Sequence, residues 1–111
     1  MPEHVRLEPV PRIRIRVGGE TIVDTTRGYV VHEGTLSDRY YVPAAEVHGT
    51  LTATADGGRC PWKGAWRHLD LATGGTTVPK AAWTYYETTP VCGPIQDHVA
   101  FYANKVEIDV T

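Results

Sequence analysis

In the segment Arg-Cys-Pro-Trp-Lys-Gly, residues 59–64, a thiol and an ammonium stand three positions apart with a proline between them. The chemistry open to such a pair is nucleophilic. Pro61 fixes its own φ and biases Cys60 toward an extended conformation, so a bend through Pro61 and Trp62 would carry the Lys63 ammonium toward the sulfur and favour the thiolate. On a regular strand the same two side chains would point to opposite faces. The competing reading is structural: Cys60 is a small buried residue and Lys63 a solvated one, because free cysteines are among the most buried residue types.

Other polar and aromatic residues stand where strands are expected to end: Asp24, Arg27, Glu33, Tyr40, Tyr41, Trp83 and Tyr85. Arg27 with Lys63 would form an anion clamp for a carboxylate or phosphate, with Glu33 as proton acceptor or as the group orienting the arginine. The alternative is a surface ion pair, which contributes little. Tyr40 and Tyr41 face opposite sides of one strand, so only one of them lines a given pocket. Trp83 and Tyr85 share a face and would make an aromatic wall for a flat or sugar-like ligand, or else supply core area.

The elements that must position these groups are short strands. "RIRIRV" alternates Arg12, Arg14 and Arg16 with Ile13, Ile15 and Val17, placing apolar side chains inward and guanidiniums outward on a solvated face. Gly18 and Gly19 then predict a hairpin into "TIVDTT", followed by "YVVHE" and by "DRYYVP" up to Pro43. "PAAEVHG" has room for a single helical turn. "TLTATA" alternates threonines with Leu51, Ala53 and Ala55 until "DGG" at residues 56–58 breaks it. "AWRHLDL" and "KAAWTYYE" flank a Gly/Thr-rich hairpin turn at 73–77, and "VEIDV" alternates again. No apolar spacing of three and four lasts three turns, so one or two short helices at most are expected, one of them around "GPIQDH". The reading is an all-β domain of curved antiparallel sheets forming a compact sandwich or open barrel. Residues 1–11, with Pro2, Pro9 and Pro11, read as an N-terminal arm, and 12–111 as one domain.

Composition narrows the classes. The chain has 111 residues, enough for one modest core, and 11 Lys+Arg against 13 Asp+Glu, so no global field attracts nucleic acid or anionic lipid. No apolar run approaches the roughly 20 residues that span a bilayer, and the N-terminal residues carry no apolar signal-peptide segment, so a cytoplasmic protein without membrane partners is expected. Two cysteines, Cys60 and Cys92, read as free thiols, and five scattered histidines form no zinc spacing, so neither a metal nor another cofactor is expected. The chain contains no GxGxxG, GxxxxGK[ST], HExxH or GxSxG.

Taken together, the "GETIVDTTR" segment at 19–27, Glu33, "YYVPAAEV" at 40–47, "CPWKG" at 60–64, "AWTY" at 82–85 and "VAFYANKVEI" at 99–108 resemble the family called domain of unknown function 427, which is sometimes labelled nucleotidyltransferase-like. The resemblance covers most of the chain. It implies a compact β-tent-like domain and a cleft where Arg27, Glu33, Tyr40 or Tyr41, Cys60, Lys63, Trp83 and Tyr85 converge, and it implies no established reaction. The paired acidic ligands of nucleotidyl transfer and the paired CxxC motifs of zinc-binding β-tent proteins are absent from the chain.

Two functions are therefore carried forward. In the first, a small-molecule-binding domain with an anionic ligand, catalytic or not, uses Cys60 as nucleophile, Lys63 and Arg27 as anion-binding groups, Glu33 as base, and Tyr40, Tyr41, Trp83 and Tyr85 as walls. In the second, a non-catalytic binding or scaffold module, homodimeric or not, uses the same polar cluster as internal structure.

Overall fold

Side chains that alternate along a strand must find one cover if one face is apolar and two covers if both are. The chain contains both kinds of strand. Residues 5–111 are described by the computed structural model, and residues 1–4 lie outside the described residues. Among the described residues ten strands occur: β1 (Val5–Val10), β2 (Ile13–Val17), β3 (Glu20–Thr25), β4 (Gly28–Glu33), β5 (Arg39–Pro43), β6 (Thr50–Cys60), β7 (Gly64–Thr73), β8 (Thr76–Thr88), β9 (His98–Phe101) and β10 (Glu107–Val110). Two short 3-10 helices, Ala44–Glu46 and Pro90–Ile95, complete the elements. No helix among the described residues is long and apolar enough to cross a membrane.

All pairings are antiparallel and make two open sheets. The larger has the order β1-β4-β5-β9-β8-β7-β6, and the smaller β10-β2-β3. The hairpin expected at Gly18 and Gly19 is present: both glycines have positive φ (55° and 82°) between the paired Val17 and Glu20, the conformation that a two-residue turn of this hand requires. Strand β2 alternates cleanly, with Ile13, Ile15 and Val17 buried and the arginines outward, and β3 buries the adjacent Ile22 and Val23 where its register with β2 shifts. Each such residue contributes about 1.5–3 kcal/mol by leaving water.

The larger sheet is apolar on both faces. Val30, Val42, Val99 and Phe101 point into an inner cluster shared with Ile13, Ile15 and Val106 of the small-sheet side. Their chain neighbours Val31, Tyr41 and Ala100 point the other way, into an outer cluster with Trp83, Tyr85, Cys92 and Ile95. The small sheet covers the inner face. The outer face is covered by the Pro90–Ile95 helix, whose Cys92 and Ile95 are buried, and by Trp62 packed beside them.

Two expectations need correction. The stretch read as an arm is, over Val5–Val10, strand β1, paired with β4 from Val5↔Glu33 to Val10↔Gly28. Pro9 is tolerated there because β1 is the sheet's edge, where one side of the strand needs no ladder donor. Strand β6 likewise does not stop at Asp56-Gly57-Gly58. The pairing with β7 shifts register between Ala53 and Gly57 and then continues to Cys60, so the glycines mark a bulge rather than an end.

Gly64 is the residue on which the β6–β7 turn depends for its approach to β8. Its φ is +125°, and a Cβ there would lie 2.0 Å from the Glu87 carbonyl oxygen. Gly64→Ala should therefore cost at least about 2 kcal/mol. Gly93→Ala, at a site with nothing within 4 Å of the added methyl, should change stability by less than about 0.5 kcal/mol. Urea unfolding of the two variants checks the contrast.

Candidate functional site

The proline bend is a turn that aims two side chains at one carboxylate. Cys60 and Gly64 pair at its base, and the Lys63 N–H donates to the Cys60 carbonyl at 3.3 Å, with Pro61 in the second turn position where its fixed φ fits. Thr89 anchors the bend from β8's end: its N–H donates to the Lys63 carbonyl at 3.0 Å and its hydroxyl to the Trp62 carbonyl at 2.8 Å. So held, Trp62 donates its indole N–H to Glu33 Oε2 at 2.7 Å, and the Lys63 ammonium pairs with Glu33 Oε1. The two charged side chains are only 12% and 13% exposed, so water screens this pair weakly.

Beside the pair lies a cleft of about 280 Å³ over the outer face of the larger sheet. Trp83 and Tyr85 of β8, Trp66 of β7 and Tyr102 line it, with Glu33 and Lys63 at one side and Arg39 at another. The aromatic groups brace one another. Trp83 and Tyr102 have ring centroids 4.5 Å apart, and the Lys63 ammonium sits 5.5 Å from the Tyr85 ring centre. The Arg39 guanidinium lies over Trp83 at 5.8 Å. Among the described residues it forms no ion pair, since the adjacent Asp38 carboxylate bonds His32 at 2.7 Å instead.

Four of the residues singled out from sequence meet here: Glu33, Lys63, Trp83 and Tyr85. Tyr41 lies behind the wall, fully buried, its hydroxyl accepting a 3.0 Å hydrogen bond from Trp83 Nε1. Tyr40 faces the opposite side and packs against the inner cluster. Cys60 is half-buried against the outer cluster and is not part of the cleft lining. The Lys63 ammonium is engaged by Glu33. Cys92 is fully buried, and burial pushes its thiol up from the usual range. Both cysteines are free.

Arg27 is elsewhere. It precedes β4 while Glu33 ends it, and six residues of strand separate the two by roughly 20 Å. Arg27 instead pairs with Glu46 after β5, Nε to Oε2 at 2.6 Å, its own side chain 70% exposed. Asp24 is held by Arg12 at 2.8 Å on the outer face of the small sheet. The cleft's cation from the strand region is thus Arg39, which the sequence reading passed over. Arg39 shares parity with Tyr41 on "DRYYVP", and Tyr102 shares parity with Ala100 on "HVAFY", so both signals were present in the alternation. Among the described residues no three His, Cys, Asp or Glu side chains are grouped to hold a metal ion.

Lys63→Met should cost about 3 kcal/mol, because it deprives a largely buried carboxylate of its cation, and the double variant with Glu33→Gln should recover most of that loss. Arg27→Ala, at an exposed pair, should cost less than about 1 kcal/mol. Denaturant unfolding separates the two. A second expectation concerns alkaline pH. Burial raises the Tyr41 and Tyr85 phenols above their ordinary value, so the unfolded chain releases these protons first, from about pH 10. The stabilisation is intact below that pH and is lost as pH climbs toward the folded values, and Tyr41→Phe should make the decline shallower in a pH series of unfolding curves.

A search of curated proteins finds no match. The family model described as Domain of unknown function (DUF427) matches residues 6–111. That span contains both sheets, the proline bend and every cleft residue named above, and the chain belongs to the DUF427 family.

Proposed function

We propose that the chain is a small-molecule-binding domain whose aromatic cleft takes a flat ligand bearing an anionic group, with Arg39 as the group that meets the charge. The observation that carries this reading is the unequal state of the two cations at the cleft. Lys63 is neutralised by Glu33, whereas Arg39 is exposed, lies over Trp83 and meets no carboxylate among the described residues. An exposed guanidinium above an aromatic ring keeps donors available for a carboxylate or phosphate. A ligand ring sliding between the aromatic side chains would add apolar contact at a size suited to a small molecule, since about 280 Å³ is at the low end for ligand pockets.

The second reading, a structural polar cluster, is favoured for part of the same region. Glu33, Lys63 and Trp62 are bonded to one another, and the bend is tied to Thr89. These residues serve as the frame of the cleft in our reading, and the chemistry assigned from sequence to Cys60, Lys63 and Arg27 passes to the aromatic wall and Arg39.

Tryptophan fluorescence titrations with benzoate, phenyl phosphate and the uncharged benzamide test the proposal. The anions should bind about tenfold or more tighter than benzamide, the margin that a charge-assisted hydrogen bond supplies. Arg39→Gln should remove most of the difference. Equal response to all three, or a difference that survives Arg39→Gln, would refute it.

A further inference from the structure

Tyr102 reaches the cleft with a partner behind it. Its hydroxyl lies 2.8 Å from His68 Nε2, and His68 Nδ1 lies 2.8 Å from Asp56 Oδ2. Three elements supply the chain of contacts: Asp56 on β6, His68 on β7 and Tyr102 just after β9. The ring is fixed sideways as well, edge-on to Trp66 at 5.0 Å and tilted against the Tyr102 ring at 5.8 Å. His68 has 15% of its side chain exposed, while Asp56 at the outer end is half exposed and also meets Lys80 Nζ at 3.1 Å.

The direction of these hydrogen bonds follows from what each group can do. Hydrogen bonds from His68 and Lys80 hold the Asp56 carboxyl below the usual range, so it is a carboxylate and only accepts. His68 Nδ1 must therefore carry the hydrogen. In the neutral ring Nε2 is then an acceptor, and the Tyr102 hydroxyl donates to it. With its hydrogen turned inward, Tyr102 Oη has only lone pairs left for the cleft.

We propose that Asp56, His68 and Tyr102 form a proton relay that presents Tyr102 Oη to the cleft as an acceptor for a ligand hydroxyl and as the entry point for that hydroxyl's proton. The proposal rests on the cleft binding a flat anion and adds the ligand's second feature, an O–H placed across the ring from the anionic group. Proton movement balances without any other reactant. The ligand O–H bond breaks and its proton goes to Tyr102 Oη, while the Tyr102 O–H bond breaks and its proton goes to His68 Nε2. The products are a ligand oxyanion and an imidazolium held against Asp56. Protonation of His68 from solvent reverses the polarity: Nε2 becomes a donor, Tyr102 accepts from it, and the phenol hydrogen is turned to the cleft. The groups facing His68 are Asp56 from β6, Trp66 on its own strand and Tyr102, with Lys80 of β8 acting on it through Asp56.

Two measurements test this, and they fail separately. Nitrogen NMR of the free protein at about pH 8 should find His68 protonated on Nδ1 and bare on Nε2, and Asp56→Asn should loosen that preference; a proton on Nε2 would overturn the relay whatever the cleft binds. Fluorescence titration should then find para-hydroxybenzoate binding about fivefold tighter than benzoate at about pH 8. Tyr102→Phe and, independently, Asp56→Asn should bring the ratio near one. A ratio of one in the unaltered protein, or one that persists in both variants, would refute the ligand-hydroxyl role. If neither acid binds, the flat-anion reading fails and the nitrogen spectrum still decides the relay.

Discussion

A seven-stranded sheet whose strands carry apolar side chains on both faces needs two covers, and among the described residues there is only one further sheet to offer. The small sheet of β2, β3 and β10 closes the inner face over Ile13, Ile15, Val42 and Val99. The outer face has to be closed by whatever irregular chain can reach it. The Pro90–Ile95 helix and the Cys60–Gly64 bend do so over Tyr41, Tyr85 and Ala100, and where their reach ends the aromatic wall of Trp66, Trp83 and Tyr102 stays open to water. Open apolar area costs free energy in proportion to its extent. The aromatic rings reduce that cost because Trp and Tyr present polar edges, and three of those edges are used here: Trp83 Nε1 on Tyr41, Trp62 Nε1 on Glu33, Tyr102 Oη on His68.

Placing charge beside such a surface demands that most of it be neutralised. Glu33 and Lys63 are both nearly sequestered, and each would be expensive alone; together, with the Trp62 N–H on the second carboxylate oxygen, they form a satisfied unit. The Lys63 ammonium is thereby committed to a carboxylate in a weakly screened setting, while Cys60 sits against apolar neighbours. Arg39 escapes this logic by standing exposed at the solvent side above Trp83, where a weakly hydrated, delocalised cation keeps its water.

How much of this was legible in the linear chain depends on whether the signal was local. Alternation and the glycine pair at 18–19 are properties of a few consecutive residues, and they identified the β2–β3 hairpin and the all-β class directly. The bend at Pro61 was also local, and its geometry came out as a tight turn. Pro9 misled because a proline reads as strand-breaking unless the strand is known to be an edge, and edge status belongs to the whole sheet. The grouping of Arg27 with Lys63 failed for a similar reason. Which end of β4 faces the bend depends on strand order, and the order puts Glu33, not Arg27, beside the β6–β7 turn. Arg39 and Tyr102 were visible as residues sharing a face with Tyr41 and Ala100, but a face is only half an address. Its neighbours come from strands distant in sequence.

That dependence on order has a consequence for how the cleft behaves. Its lining is drawn from β4, β5, β7, β8 and the segment after β9, with the bend between β6 and β7 supplying Lys63. No two adjacent elements suffice to build it, so the cleft exists only once the larger sheet is fully assembled. Most of its side chains project from paired strands, whose backbone hydrogen bonds leave them little freedom, and Leu36, Ser37, Lys63 and Tyr102 come from the connecting segments. A site mounted this way is preformed, so a ligand held there would lose little binding energy to ordering the protein. Such a ligand would bind the folded state alone, and its occupancy would raise stability by an amount set by ligand concentration over its dissociation constant. The open stretch of the outer face, a weakness in the bare fold, is in this sense the place where a bound molecule would serve as the missing cover.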